Sequence, residues 1–243
     1  MRIVRSVFRV PAFFSLLAFF SFCLAADGVL AGQGNAPSTP APRAKNASGA
    51  EGVVAHCFDG DTVKLTDRRV VRLAGIDAPE MPHEGAKAQY YAREARRELV
   101  RLAQGQKIRL VAVEKGEGKD AHGRAVADLR LGDGRSLSEL MVGGGMAFFY
   151  PHQGLDADFQ RRLLNLQKKA IAEKRGLWAR LLSLPLALRN YTGNHASMRF
   201  FPADCPEAQR IKPRNKVYFG TLMDAFLAGY APARICLFWP LVP

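Results

Sequence analysis

The sequence predicts an α+β fold, because short β-branched strand patterns come first and longer helical patterns follow. Three strand patterns lie close together at residues 52–58, 62–65 and 69–76. Two more follow at 107–113 and 125–131, and they flank a polar loop over 114–124. Five short strands together with helices are therefore the expected content of the folded part.

Apolar residues at helical spacing predict three helices. The first runs from near Glu84 to Ala103, and Gly105 follows its end. Ser136 and Glu139 form a capping-box pattern that opens a short helix, which Gly143 ends. A long helix is predicted from about Asp156 to Leu181. Trp178, at its end, is interpreted as a packing anchor rather than a platform for stacked bases.

The 243 residues leave room for one ordinary domain and some additional segments. Residues 1–31 have the plan of a secretory signal peptide: three arginines, an apolar run over 10–26, and small residues for cleavage after Ala25 or Ala31. An uncleaved membrane anchor is the alternative, although the apolar run is short for a span. Residues 32–50 are small and polar and predict a flexible leader. The sequence thus predicts an exported protein, periplasmic or secreted, with no stable membrane association after cleavage.

Three cysteines remain once the signal peptide has removed Cys23: Cys57, Cys205 and Cys236. An odd number allows at most one internal disulfide in an oxidising compartment. Cys57 lies in an apolar strand pattern, which favours a small buried residue over a reactive thiol.

Four carboxylates and one arginine lie in two phrases close together in the sequence, Asp59-Gly60-Asp61-Thr62 and Arg72 through Glu80. Carboxylates supply the oxygen ligands that Ca²⁺ or Mg²⁺ prefers, and arginine donates in a two-pronged way to phosphate. The net charge of +13 would attract a polyanion. Asp-Gly-Asp is also common turn chemistry and alone would indicate a loop. The combination indicates a metal-dependent enzyme that acts on nucleic acid.

Four phrases in register resemble the staphylococcal nuclease (thermonuclease) family over about residues 53–181. They are Asp61-Thr62-Val63, Arg72-Leu73 through Asp77-Ala78-Pro79-Glu80, Asp120-Ala121-His122-Gly123-Arg124, and Gly176-Leu177-Trp178. The resemblance implies that residues 51–182 form an OB-type five-stranded β-barrel with about three helices. Such barrels bind oligonucleotides on one face.

The same resemblance implies the site residues. Arg72, Glu80 and Arg124 would be catalytic, and Asp61, Asp77 and the Ala78 carbonyl would hold Ca²⁺, with Ala78 standing where the best-known member has threonine. Glu80 would be the general base, and the two arginines would stabilise a phosphorane-like transition state. Without the motif, Glu80 would be a surface carboxylate after a turn and Arg124 an exposed loop residue.

Four neighbouring residues are interpreted more simply. Asp59 and Asp120 are expected to support the site or its turns rather than to bind metal. His122 stands where the best-known member has a tyrosine near the terminal phosphate of the substrate. Tyr150 has two readings, a contact near the substrate or a place in the core.

The carboxyl extension, residues 183–243, resembles a small cysteine-bearing module that is appended to some bacterial nucleases. That module would bind zinc through four ligands. Here Ala233 stands where a cysteine of its Cys-x-x-Cys pair is expected, and Phe201 stands where a histidine is expected. The extension is therefore predicted to hold no tightly bound zinc, and Cys205 and Cys236 could instead form a disulfide.

Together these observations predict an exported Ca²⁺-dependent phosphodiesterase that hydrolyses DNA and/or RNA with low sequence selectivity. Two alternatives remain open. One is a catalytically inactive barrel that binds single-stranded nucleic acid. The other is a membrane-anchored adaptor, which would need the apolar run over residues 10–26 to remain uncleaved.

Overall fold

A computed structural model describes residues 49–82, 85, 87–113, 118–236 and 239–242. The predicted signal peptide over 1–31 and nearly all of the leader predicted over 32–50 lie outside these ranges. Residues 46–243 fall into one compact unit. No helix among the described residues combines the length and the apolar character needed to cross a membrane.

The secondary structure alternates short strands with helices. The strands are β1 (Glu51–Cys57), β2 (Thr62–Leu65), β3 (Val70–Leu73), β4 (Ile76–Asp77), β5 (Ala88–Gln89), β6 (Lys107–Val111), β7 (Ala125–Leu131), β8 (Phe148–Phe149), β9 (Tyr191–Asn194), β10 (Arg199–Pro202), β11 (Lys216–Phe219), β12 (Ala231–Pro232) and β13 (Leu241–Val242). The helices are α1 (Ala92–Ala103), α2 (Leu137–Gly143), α3 (Ala157–Ala172), α4 (Trp178–Leu181), α5 (Pro206–Gln209) and α6 (Leu222–Leu227).

Five strands close into a barrel in the order β1-β2-β3-β7-β6, which confirms the predicted OB-type five-stranded barrel. Its neighbours pair antiparallel except β3 and β7, which run parallel. Alternate residues such as Val63, Leu65, Val71 and Leu73 are buried in the barrel core. The period-2 pattern of the sequence therefore has its physical origin in a sheet with one face turned to that core.

Two helix boundaries differ from the prediction. The first helix was expected to start near Glu84, but α1 starts at Ala92, because Tyr91 adopts a left-handed backbone with φ 74°. The preceding residues Ala88 and Gln89 pair instead with β13 at the other end of the chain. The long helix predicted to reach Leu181 ends at Ala172, because Lys174 and Gly176 both have positive φ and interrupt it before α4.

The carboxyl extension forms a second sheet in the order β11-β9-β10-β12. Its aromatic core is shared with the first part of the chain, since Phe200 and Phe226 pack with Trp178 and Phe148. Gln167 of α3 is fully buried and donates to the Phe226 carbonyl at 2.8 Å. The extension is therefore fixed against the helical side of the nuclease-like part.

Candidate active site

The Asp59-Gly60-Asp61 turn between β1 and β2 places Asp61 beneath the site. The Asp61 amide donates to Asp59 Oδ1 at 2.9 Å, so Asp59 shapes the turn as expected. Gly60 is required by close packing, because a Cβ there would lie 2.7 Å from the Cβ atoms of both Ala78 and Ala95. Asp61 is 2% exposed, and its Oδ2 accepts from the Ala78 amide at 2.9 Å. The two segments predicted to bind metal thus meet directly.

Arg72 lies in β3 between two carboxylates. Its guanidinium donates to Asp61 Oδ1 at 2.8 Å and to Asp77 Oδ1 at 2.5 Å. Only 12% of the side chain is exposed. Burial alone would lower the pKa of Arg72, but Asp61 and Asp77 outweigh it, and the pKa is raised overall. The guanidinium therefore stays charged and fixed in direction, which suits the binding of a phosphate.

The acidic cluster has the chemistry of a hard-cation site. Asp61 and Asp77 are both nearly buried, and the pKa of Asp61 is raised well above its ordinary value. Burial is the main cause; Arg72 opposes it, while Asp59 and Asp77 add to the rise. Four carboxylates, those of Asp59, Asp61, Asp77 and Glu80, thus face two arginines, Arg72 and Arg234, and a divalent cation would balance the remaining negative charge. Carboxylate and carbonyl oxygens are the donors that Ca²⁺ prefers, so Asp61, Asp77 and the Ala78 carbonyl fit this cation.

Glu80 stands at the edge of the same cluster. Its backbone is fixed by a reciprocal pair of hydrogen bonds with Gln89: the Glu80 amide donates to Gln89 Oε1, and the Gln89 amide donates to the Glu80 carbonyl, both at 2.9 Å. Its side chain is 38% exposed. Burial raises the pKa of Glu80, Asp77 adds to the rise, and Arg234 opposes it. A carboxylate that is half-buried, fixed and raised in pKa has the properties of a general base.

Arg124 reaches the site from the loop before β7. Its Nε donates to Asp120 Oδ2 at 2.6 Å, and the Asp120 carboxylate also accepts from the amides of Arg124 and His122. Asp120 is therefore a turn residue, as expected. Gly123 has φ 74°, which allows the tight turn that aims Arg124.

These groups surround one open cleft of about 620 Å³. Its walls include Asp59, Arg72, Asp77, Glu80, Met81, Lys87, Gln89, His122, Arg124, Pro232, Ala233, Arg234, Trp239 and Leu241. The structure thus brings the predicted catalytic residues to a single cleft, with Asp61 and Ala78 buried and in contact with Asp77 or Arg72. The catalytic and metal-binding roles themselves remain predictions.

Sequence reasoning missed Arg234. Its Nη2 lies 2.7 Å from Asp77 Oδ1 and 3.7 Å from Glu80 Oε1, although 157 residues separate it from Asp77. Arg234 lies in the carboxyl extension, and no local motif marks it as a site residue. The packing of the extension against the first part of the chain brings it to the cleft.

Two aromatic residues and the remaining cysteines have structural environments. Trp178 is fully buried, which confirms its interpretation as a packing anchor. Tyr150 lies outside the cleft walls, where the Arg199 guanidinium stands 3.5 Å from its ring centroid. Cys205 and Cys236 form a disulfide, with both sulfurs within 3.5 Å of Glu207 Oε2. Cysteines joined in a disulfide have no thiolate that could bind zinc, which agrees with the expected lack of tightly bound zinc. Metal analysis of the purified protein has to test that prediction.

Comparisons with known proteins relate about half of the chain to nucleases. Residues 70–180 match the family described as staphylococcal nuclease homologue. An uncharacterised endonuclease from Escherichia coli O157:H7 is 31% identical over 131 residues, which cover 53% of this chain and 76% of that protein. A thermonuclease from Staphylococcus hyicus is 31% identical over 132 residues, 52% of this chain and 74% of that protein. A probable endonuclease from Komagataella phaffii is 33% identical over 119 residues, 47% and 51% of the two chains.

Proposed function

The chain belongs to the staphylococcal nuclease homologue family, and we propose that it is an exported, Ca²⁺-dependent nuclease that hydrolyses DNA and/or RNA with low sequence selectivity. One observation carries the proposal: Arg72 is held between two buried carboxylates, and Glu80 and Arg124 border the same cleft. Low selectivity is expected because the named groups recognise phosphate, which every nucleotide has.

The cleft residues have different roles in phosphodiester hydrolysis. A phosphodiester resists attack because its oxygens are negatively charged. Arg72 and Arg124 would bind the scissile phosphate and stabilise the charge that grows in the transition state. Glu80 would accept the proton of the attacking water as the water oxygen bonds to phosphorus. The bond from phosphorus to the leaving sugar oxygen then breaks, and that oxygen keeps the electron pair and takes a proton from solvent water.

Asp61, Asp77 and the Ala78 carbonyl would hold the cation. Bound Ca²⁺ would neutralise part of the phosphate charge and would provide open coordination positions close to it. Because Ca²⁺ acidifies water only weakly, the proposal needs a separate base, and Glu80 takes that role. We expect Ca²⁺ to serve better than Mg²⁺, because Mg²⁺ demands a tighter octahedron.

Export is part of the proposal. Its support is the signal-peptide plan of residues 1–31 and the Cys205–Cys236 disulfide, since disulfides persist mainly in oxidising compartments. Amino-terminal sequencing of the mature protein tests it: cleavage after Ala25 or Ala31 is expected, and an intact amino terminus in a membrane fraction would contradict it.

The function is tested by Glu80→Gln, which removes the base but keeps the shape of the side chain. We expect the variant to bind a single-stranded oligonucleotide like the parent and to cleave it about 10²–10⁴-fold more slowly. Glu94→Gln is the matched control, because Glu94 lies on α1 in an exposed ion pair with Arg97 and does not border the cleft. It should cleave at the parent rate.

Two results would count against the proposal. If Glu80→Gln cleaves nearly as fast as the parent, Glu80 is not the base. If the parent itself binds the oligonucleotide and never cleaves it, the chain is a nucleic-acid-binding barrel and not an enzyme.

A further inference from the structure

Arg234 is a third guanidinium in the cleft, and the carboxyl extension supplies it. It contacts Asp77 and Glu80, which are the carboxylates assigned above to the cation and to the proton. The family match ends at residue 180, so this arginine lies outside the part of the chain that the match covers. Its role therefore has to be inferred from its own surroundings.

The backbone around Arg234 is fixed on both sides. Before it, β12 pairs with β10 in register Arg199 with Ala231, and the Ala233 amide donates to the Phe200 carbonyl at 2.9 Å. After it, Cys236 is joined to Cys205 by the disulfide. Strand pairing before Arg234 and the disulfide after it hold the base of its side chain at the cleft. The fold itself thus places Arg234 beside Asp77 and Glu80.

The Arg234 side chain is the most exposed of the three arginines in the cleft. Half of it is exposed (52%), compared with 12% for Arg72 and 27% for Arg124. Arg72 is held by two carboxylates and Arg124 by Asp120. Asp77 Oδ1 accepts from both Arg72 and Arg234, so Asp77 keeps a guanidinium partner when Arg234 turns away. Of the three arginines, Arg234 can therefore reach a new partner at the lowest cost.

The position of Arg234 defines that partner. The cleft is lined by residues from both parts of the chain. The extension contributes Pro232, Ala233, Arg234, Trp239 and Leu241 beside residues of the nuclease-like part such as Arg72 and Arg124. A nucleic-acid strand bound in this cleft would therefore contact the extension as well as the catalytic arginines. The scissile phosphate already has Arg72 and Arg124, so the next phosphate along the strand is the available acceptor.

Resting on the proposed nuclease function, we propose that Arg234 is a substrate-binding residue whose guanidinium donates to a backbone phosphate adjacent to the one that is cleaved. The carboxyl extension then binds substrate directly through this residue. Because the contact is made to a phosphate that does not react, it stabilises bound substrate and transition state equally. Its loss should raise KM and leave kcat near the parent value.

The test compares the affinity for a fluorescein-labelled single-stranded oligodeoxynucleotide at several salt concentrations, in the Glu80→Gln background with Ca²⁺ present. Adding Arg234→Gln should weaken binding about tenfold at low salt. The slope of the logarithm of the association constant against the logarithm of the salt concentration should also become smaller in magnitude by about 0.7, which is the value for one phosphate contact on a single strand. Arg234→Lys should keep the salt slope and bind more weakly than the parent background, because lysine keeps the positive charge but lacks the paired N–H donors of the guanidinium.

Arg214→Gln is the matched control. Arg214 is exposed in the same extension and does not border the cleft, so its loss removes the same charge elsewhere. It should change the affinity less than about twofold, as expected for a distant screened charge. Circular dichroism of each variant checks that the fold is kept.

The outcomes separate the two proposals. If the parent cleaves but Arg234→Gln binds like Arg214→Gln, with the same salt slope, or binds more tightly than its background, the inference about Arg234 is overturned and the nuclease function stands. If the parent does not cleave, the nuclease proposal fails, and the affinity and slope still decide whether Arg234 contacts phosphate.

Discussion

Arg72 and Arg124 serve the same phosphate in the proposed mechanism and are positioned by different means. Arg72 is buried in a strand and gains its direction from Asp61 and Asp77. Arg124 lies at the rim and gains its direction from a turn that Asp120 closes. Both are pre-oriented by carboxylates, so little side-chain entropy remains to be lost when a phosphate binds. Residue type alone pointed to Arg72, which stands among acids in the sequence, whereas Arg124 was predicted only from the resemblance to the family.

Cys57 gives a prediction at the residue scale. The thiol is fully buried, and burial raises its pKa to about 11, with Arg96 opposing this rise. A thiol that stays protonated at neutral pH is inert. We expect the mature protein, counted with a thiol reagent and without reductant, to show no reactive thiol when native and one when unfolded in guanidinium. Cys57→Ser should show none in either state, and three thiols in the unfolded parent would mean that the disulfide is absent.

At the scale of elements, the turn before β2 determines where the acids stand. Gly60 packs so closely against Ala78 and Ala95 that an added methyl group must displace one of them. We expect Gly60→Ala to lower the free energy of unfolding by about 1–3 kcal/mol, as overpacking of a core does, and to weaken cation binding. Urea denaturation and calorimetric titration with Ca²⁺ measure the two effects.

Gly132→Ala is the control for that substitution, because a Cβ at Gly132 meets no atom within 4 Å. It should leave stability within about 0.5 kcal/mol of the parent, as surface changes usually do. If Gly60→Ala were as harmless as Gly132→Ala, the turn would not be under the packing constraint described above.

The disulfide is the second element to test. It closes a loop between residues that are 31 apart in sequence and lies two residues beyond Arg234. Replacing both cysteines by serine should lower the free energy of unfolding by about 2–4 kcal/mol, chiefly because the unfolded chain without the crosslink has more conformational entropy. Urea denaturation of the mature protein measures this, and reductant should bring the parent to the level of the variant. Identical midpoints for parent and variant would contradict it.

The barrel strands could be predicted from the sequence to within three residues at each end, because alternating burial is a local property of a strand. The start of α1 could not be predicted in this way. Residues 88–89 have helical neighbours and apolar spacing, but their backbone partners are Leu241 and Val242 at the far end of the chain. A long-range pairing overrides local propensity there.

At the scale of the whole molecule, the charge and the fold are complementary. The formal net charge of +13 attracts a polyanion, while the acids that would bind the cation are collected in one cleft. The carboxyl extension shares its core with α3 and α4 and supplies one wall of that cleft. Arg234 could not be predicted from the sequence for this reason: its function depends on the packing of the two parts, and its neighbours in the chain carry no signal.

In the proposed mechanism, buried carboxylates and arginines in one cleft make the protein a cation-dependent nuclease. The most direct measurement is cleavage of single-stranded DNA by the mature parent protein with Ca²⁺ and with excess chelator, followed by addition of Ca²⁺ to the chelated sample. We expect cleavage with Ca²⁺, a loss in rate of at least about 10²-fold in chelator, and recovery when Ca²⁺ is restored. Undiminished cleavage in excess chelator would contradict it.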